Sequence, residues 1–92
     1  MYTIQRSSRF KKDIRKLQKQ NKDMVKFLEL NELLVNGETL PHHYRDHELI
    51  GNWSGFRECH IEPDWLVIYR VDSEEETLEY ARTGSHSELF RR

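Results

Sequence analysis

The first quarter of the chain places apolar residues at helical spacing among cationic ones. Phe10, Ile14 and Leu17 recur at positions i, i+4 and i+7, which puts their side chains on one face of an amphipathic helix. The serines at 7–8 precede this pattern, and serine is a favoured N-cap residue. The pattern therefore predicts a helix that begins near these serines and runs to about Gln20.

A second helix follows after a short polar turn. Asn21 and Asp23 are suited to start it, and Gly37 is suited to the left-handed conformation that ends many helices. The broad apolar stripe between them consists of Met24, Phe27, Leu28, Leu30, Leu33, Leu34 and Val35. Two helices joined by so short a turn are expected to form an antiparallel hairpin. Weak alternation over residues 2–5 predicts a short strand before the hairpin.

The second half of the chain shows the two-residue period of β-strands. Strands are predicted over 56–62, 65–71 and 77–83, and a short helical turn over 85–90. In the first strand the even-numbered residues, His60 among them, face one side of the sheet. Short turns between the strands favour antiparallel pairing. A strand and a helical hairpin packed on a small antiparallel sheet define an α+β domain.

Length and composition describe one polar domain. A chain of 92 residues forms a single modest core, and its ten aromatic residues are too many for a disordered chain. The single cysteine, Cys59, excludes an internal disulfide and fits a reducing compartment. No apolar run is long enough to span a membrane, and residues 1–6 lack the apolar core of a signal peptide. A cytoplasmic protein is expected.

The charge is distributed unevenly along the chain. Residues 1–26 hold nine lysines and arginines against two aspartates, a net charge of +7, whereas residues 27–92 carry a net charge of −8. A basic arm on an acidic body indicates an electrostatic footprint for a polyanion. The alternative is a solvated helix face that is rich in good helix formers.

Five histidines raise the question of a metal site. Structural zinc sites use paired cysteine and histidine ligands at short, fixed spacing, and this chain has one cysteine. His43 and His47 are four residues apart, but Pro41 and the loop composition argue against a helix that would bring them together. The H-x-E run that begins at His60 matches half of a zinc deaminase motif and lacks the cysteine pair. No metal or other cofactor is therefore expected.

Metal-free RNA cleavage fits these residue types better. A ribose 2′-hydroxyl attacks the adjacent phosphorus, which requires a base for its proton, an acid for the leaving 5′-oxygen and a cation for the phosphorane charge. Histidine suits the proton transfers because it titrates near neutrality, and arginine binds phosphate oxygens in bidentate fashion. Because DNA lacks the attacking hydroxyl, the predicted substrate is RNA.

Each candidate for this chemistry also has an ordinary structural explanation. A strand histidine is often half-buried, an aspartate after proline is a common turn residue, and most aromatic residues belong to a core. A strand arginine is explained equally well by a carboxylate partner such as Glu58 or Glu62. Spacing alone therefore does not assign a catalytic role to any of these positions.

Two motifs carry a resemblance to a known family. One is the H-x-E-P-D-W run from His60 to Trp65, followed by two apolar residues and Ile-Tyr, and the other is R-T-G-S-H from Arg82 to His86. With them the chain resembles the YafQ-like branch of the RelE/ParE superfamily of bacterial toxins over nearly its whole length. The segments that carry the resemblance are 10–13, 40–41, 44–49, 51–60, 61–69 and 81–90.

The resemblance implies a single toxin domain over residues 1–92 with a RelE-like fold. It also implies a ribosome-dependent mRNA interferase, an endoribonuclease that cleaves mRNA in the ribosomal A site and so inhibits translation. The implied partners are a cognate antitoxin, the ribosome with its rRNA, and mRNA. Operator DNA is bound only through the antitoxin complex, and no membrane is involved.

The family's active-site positions match seven residues of this chain, namely His47, His60, Asp64, Trp65, Arg82, His86 and Phe90. The resemblance implies that His86 is the general acid, and the base remains open among His47, His60 and Asp64. Arg82 would stabilise phosphate charge, and Trp65 and Phe90 would stack on or position the mRNA bases. The basic helix would face rRNA through Lys11, Lys12, Arg15 and Lys16. The Arg91-Arg92 tail departs from the family without an expected change of function.

Two other functions remain to be distinguished. A ParE-like toxin that acts by binding DNA gyrase belongs to the same superfamily, but such toxins lack the histidine set of His47, His60 and His86. The other alternative is a catalytically inactive module that keeps only an antitoxin-binding groove.

Overall fold

A computed structural model describes residues 1–90, and Arg91 and Arg92 lie outside the described residues. Its helices and strands are β1 (Thr3–Arg6), α1 (Ser8–Lys19), α2 (Met24–Val35), β2 (His47–Glu48), β3 (Arg57–Glu62), β4 (Trp65–Asp72), β5 (Thr77–Gly84) and α3 (His86–Leu89). The strands form one sheet in the order β1-β5-β4-β3-β2. All neighbours are antiparallel except β1 and β5, which are parallel. The predicted α+β architecture is confirmed.

The predicted helix ends are confirmed by their caps. The Ser7 hydroxyl accepts a hydrogen bond from the Phe10 amide at 3.0 Å, and the Asp23 carboxylate accepts one from the Val25 amide at 3.1 Å. Gly37 follows α2 with a φ of +69°, the left-handed conformation expected of it. These local signals fix both ends of the helical hairpin.

The main core lies between the helical hairpin and one face of the sheet. Phe10 of α1 stacks on Tyr80 of β5 with ring centroids 4.9 Å apart, and the Tyr80 hydroxyl donates to Asn31 Oδ1 at 2.7 Å. The buried residues of this core are Phe10, Leu30, Leu34, Tyr44, Cys59, Val67, Tyr69, Leu78 and Tyr80. A polar network closes its edge, where Asp46 accepts hydrogen bonds from Arg57 and Tyr69. The helix-facing side of the sheet therefore carries the main core.

The opposite face of the sheet carries a smaller core. It consists of Leu66, Ile68, Ala81 and Leu89, with Leu49, Trp53, Phe56 and Phe90 packed against it. A register shift between His60 and Glu62 interrupts the strict alternation predicted for β3. Glu62 accordingly bonds to two lysines of the helical hairpin, Lys22 at 3.2 Å and Lys26 at 2.9 Å. Within residues 1–90, no helix has the length and apolar character needed to cross a bilayer.

Candidate active site

The first candidate cluster is built around Glu58 on β3. His47 lies opposite Glu58 in the β2–β3 register, and His60 lies two residues further along β3, on the same face as Glu58. One Glu58 oxygen is 3.1 Å from His60 Nε2, and the other is 3.5 Å from His47 Nε2. Glu58 is only 5% exposed. A single buried carboxylate thus faces two histidine rings, whose centroids are 6.4 Å apart.

The protonation of His47 follows from its neighbours. His47 Nδ1 is 2.8 Å from the carbonyl oxygen of Arg45, which only accepts hydrogen bonds, so Nδ1 carries the proton in the neutral ring. Nε2 is then the nitrogen that accepts a proton. The His47 side chain is 52% exposed, so a substrate hydroxyl can reach the ring. These features suit a general base whose tautomer is fixed before substrate arrives.

His60 is placed less favourably for direct contact with RNA. Its side chain is only 14% exposed, and its Nε2 faces Glu58. Its Nδ1 is buried and has no hydrogen-bond partner within residues 1–90. In this conformation His60 therefore packs against Glu58 inside the cluster, and His47 is the ring that is exposed to solvent.

The second cluster joins Asp64, His86 and Phe90. Asp64 lies in the turn between β3 and β4, and its Oδ1 accepts a hydrogen bond from the His86 amide at 3.0 Å. His86 is the first residue of α3, and its exposed ring lies 4.9 Å from that of Phe90. Asp64 thus holds the backbone of His86 in place and leaves the imidazole free.

The two clusters meet at one end of the sheet. His60 pairs with Leu66 across β3 and β4, and Leu66 pairs with Gly84 across β4 and β5, two residues before His86. Two strand spacings of about 4.8 Å separate the His60 and Gly84 backbones by roughly 10 Å. The His60 side of the first cluster and the Gly84–His86 segment of the second therefore lie at the same end of the sheet.

Arg82 is held by an acidic residue of α1. Its Nε and Nη2 donate to the two Asp13 oxygens at 2.8 and 3.2 Å, and Asp13 also accepts the Thr83 amide at 3.1 Å. The sequence offered Glu58 or Glu62 as partners, and Asp13 is the partner found. This pairing uses Nε and Nη2 of the guanidinium, whose side chain is 15% exposed.

Trp65 is buried in this structure. The residue has no exposed surface, and its indole Nε1 donates to Thr83 Oγ1 at 3.0 Å. A base needs an open ring face to stack on, so in this conformation Trp65 is a packing residue, and its RNA contact stays a prediction. Its strand position points it toward the helical hairpin, where Lys22 Nζ lies 6.0 Å from the ring centroid. Phe90 is half-buried and retains exposed surface.

The basic face of α1 lies beside the second cluster. Lys11, Lys12 and Arg15 are exposed, whereas Lys16 bonds to Glu88 of α3. This bond, together with hydrogen bonds from Ser85, lowers the pKa of Glu88 from its ordinary 4.5 to about 2. Three of the four predicted RNA-binding cations are thus free to meet a polyanion, and the fourth ties α1 to the helix that carries His86.

Sequence reasoning missed two residues of the site, Glu58 and Asp13. The proximity of Glu58 to His60 could have been predicted, because residues at spacing i, i+2 share a face of a strand. The pairing of Asp13 could not, because 69 residues separate it from Arg82. Among residues 1–90, no group of three or more histidine, cysteine, aspartate or glutamate side chains is arranged to hold a metal ion.

Comparison with known proteins identifies the family. Residues 2–91 match the family model described as the bacterial toxin of type II toxin-antitoxin system, YafQ. The mRNA interferase toxin YafQ of Escherichia coli K12 is 43% identical over 88 residues, which cover 95% of this chain and 94% of that protein. YafQ in the solved E. coli DinJ-YafQ complex is 42% identical with a TM-score of 0.90, covering 98% of this chain and 99% of its own. A metal-bound toxin from Helicobacter pylori is 41% identical with a TM-score of 0.92, covering 98% and 100%. This chain therefore belongs to the YafQ family of toxins of type II toxin-antitoxin systems.

Proposed function

We propose that this chain, acting as a single cytoplasmic domain, is an mRNA interferase that cleaves mRNA in the ribosomal A site without a metal ion. Its family and the activity in the name of the E. coli relative support an mRNA endoribonuclease. One observation carries the mechanism: two exposed histidines, His47 and His86, lie at the same end of the sheet, each held by a different carboxylate. Such a pair supplies a base and an acid on two sides of one phosphodiester.

The reaction begins with removal of a proton from the ribose 2′-hydroxyl. His47 Nε2 accepts this proton, because Nδ1 already donates to the Arg45 carbonyl. The 2′-oxygen forms a bond to phosphorus, and the bond from phosphorus to the 5′-oxygen breaks. His86 donates a proton to the departing 5′-oxygen. The products are a 2′,3′-cyclic phosphate and a free 5′-hydroxyl.

The remaining residues stabilise this reaction. Arg82 offers Nη1 to the phosphorane oxygens while Asp13 orients its guanidinium. Asp64 is a weaker candidate for the base, because its Oδ1 is occupied by the His86 amide. Phe90 lies against the His86 ring and offers an apolar surface to a neighbouring base.

The basic face of α1 serves recognition of the ribosome. Lys11, Lys12 and Arg15 project from the helix whose other contacts, through Asp13 and Lys16, lead to Arg82 and α3. Phosphates of rRNA that bind this face would therefore lie next to the cleavage site. A cognate antitoxin is the second partner, as the DinJ complex of the E. coli relative supports, and operator DNA is contacted only through that complex.

Substitution of His86 by Gln tests the proposal. The variant keeps the size and polarity of the side chain but lacks a transferable proton near neutrality, so cleavage of ribosome-bound mRNA is expected to fall about 10²–10⁴-fold. Antitoxin binding should be retained. His42→Gln is the matched control, because His42 is exposed in the 3-10 turn His42–Tyr44, outside both clusters.

Full cleavage by the His86 variant would rule out the assigned role. A native protein that arrests growth without cutting mRNA would instead favour the gyrase-binding alternative, and one that binds antitoxin without either effect would favour an inactive module.

A further inference from the structure

We infer that Glu58 is a positioning residue that prepares the His47–His60 pair for proton transfer, an inference that rests on the proposed function. The observation is the position of its carboxylate, which is 5% exposed and directs one oxygen to each Nε2 atom. Ile68 lies across from it on β4 and is apolar. On the surrounding strands, the two histidine rings are therefore the polar partners of this carboxylate.

A buried carboxylate is costly unless it is paired, and this one faces two rings with one negative charge. His60 is the nearer ring, with its Nε2 atom 3.1 Å from one Glu58 oxygen. His47, at the longer distance of 3.5 Å, is free to receive the substrate proton.

Protonation of His47 completes the arrangement. Once Nε2 has taken the proton of the 2′-hydroxyl, the imidazolium lies between two acceptors, the Arg45 carbonyl on one side and Glu58 on the other. The carboxylate stabilises this charge, which exists only after the proton has moved. Glu58 does not touch the reacting atoms and acts through His47, so its effect belongs to the rate of the chemical step and not to ribosome affinity.

The competing explanation is that Glu58 contributes only to stability, as a buried ion pair. The two explanations differ in what a charge-removing substitution changes. A positioning role predicts a slower cleavage step with unchanged ribosome binding and altered ring protonation. A purely structural role predicts a lower melting temperature, with cleavage that follows the folded fraction.

The test compares Glu58→Gln with Glu58→Asp. Single-turnover cleavage of ribosome-bound mRNA, ribosome affinity and the imidazole ¹⁵N resonances of the free toxin are measured for each. Glu58→Gln keeps the volume but removes the charge, and we expect the cleavage rate to fall on the order of 10- to 100-fold, less than for loss of a proton-transferring group itself. Affinity should stay the same, and the His47 and His60 ring nitrogens should shift. Glu58→Asp, which keeps the charge, should recover part of the rate.

Glu48→Gln is the matched control, because Glu48 is next to His47 on β2 but its side chain is 84% exposed. It should leave the rate and the ring resonances unchanged. Wild-type rates in Glu58→Gln would overturn the inference, as would a loss of rate without any change in the histidine rings. Failure of the proposed function is recognised separately, since the native protein would then leave ribosome-bound mRNA uncut while the ring resonances still responded to Glu58→Gln.

Discussion

The two histidine clusters at the end of the sheet are held in different ways. His47 is fixed through its ring, by the Arg45 carbonyl on one nitrogen and a buried carboxylate near the other. His86 is fixed through its backbone, whose amide bonds to Asp64, while its ring is exposed beside Phe90. In the proposed reaction, the ring that takes a proton is thus organised before RNA arrives, whereas the ring that gives one can follow the leaving oxygen. The ring that is preorganised is therefore His47, whose tautomer determines which nitrogen can accept a proton.

The segments that carry the two histidines are also anchored differently. The segment before β2 is anchored by a semi-buried network, in which Asp46 accepts hydrogen bonds from Arg57 and Tyr69. Helix α3 is anchored by its Ser85–Glu88 capping box and by the exposed pair of Lys16 and Glu88. Buried networks are rigid, and exposed ion pairs are weak and sensitive to salt. We therefore expect the His86 side to be the more adaptable one.

The largest expected effect separates His47 from His60. His47→Gln should lower the single-turnover cleavage rate about 10²–10⁴-fold, because it removes the base. His60→Gln should lower it less, about 10-fold, because the buried ring acts only through Glu58. Rates on ribosome-bound mRNA, with melting temperatures of both variants to correct for stability, check this order. A greater loss in His60→Gln would make His60 the base and reverse the comparison.

The helical hairpin was predictable because its information is local. The caps at Ser7 and Asp23 bond to amides two or three residues away. The 3.6-residue apolar period is likewise visible within each helix. The parallel placement of β1 beside β5 and the two-residue strand β2 were not predictable in this way. Their hydrogen bonds join segments far apart in the sequence, and two residues carry no period.

The site was only partly predictable for the same reason. His47 lies 13 residues from His60, and only the β2–β3 register brings the two together, so residue patterns alone indicated a solvated loop. The burial of Trp65 was not predictable because β4 is apolar on both faces, and such a strand does not show which side chains are covered. Glu58 was assigned to the correct face but only as one of two candidate partners for Arg82, since burial and the second histidine are visible only in the fold.

A smaller effect is expected from the basic helix. Replacing Lys11, Lys12 and Arg15 with Gln removes three exposed cations, and if all three contact rRNA phosphates the slope of log affinity against log salt should decrease by about 2. Lys16→Gln should change the slope less, because Lys16 is already paired with Glu88. Ribosome binding measured at several salt concentrations checks both variants. An unchanged slope in the triple variant would make this face an ordinary solvated surface.

The smallest expected effect concerns the anchor of α3. The pKa of Glu88 is lowered to about 2, chiefly by its hydrogen bond with Lys16, so the native state favours the ionised carboxylate. The resulting stability is fully present above the ordinary value of 4.5 and is lost as the pH falls through about 2. Because Lys16 is exposed, Lys16→Ala should lower the free energy of unfolding at pH 7 by no more than about 1 kcal/mol.

Unfolding by urea at pH 7 and at successively lower pH measures this contribution, with Lys19→Ala as the control for an exposed cation at the end of α1. The difference between Lys16→Ala and the native protein should shrink toward pH 2, where Glu88 loses its charge. The same substitution should speed amide exchange in α3 and leave the β2–β3 pairing unchanged. Equal loosening at both sites would mean that the two clusters share one rigid support, and the distinction between a fixed base and an adaptable acid would not hold.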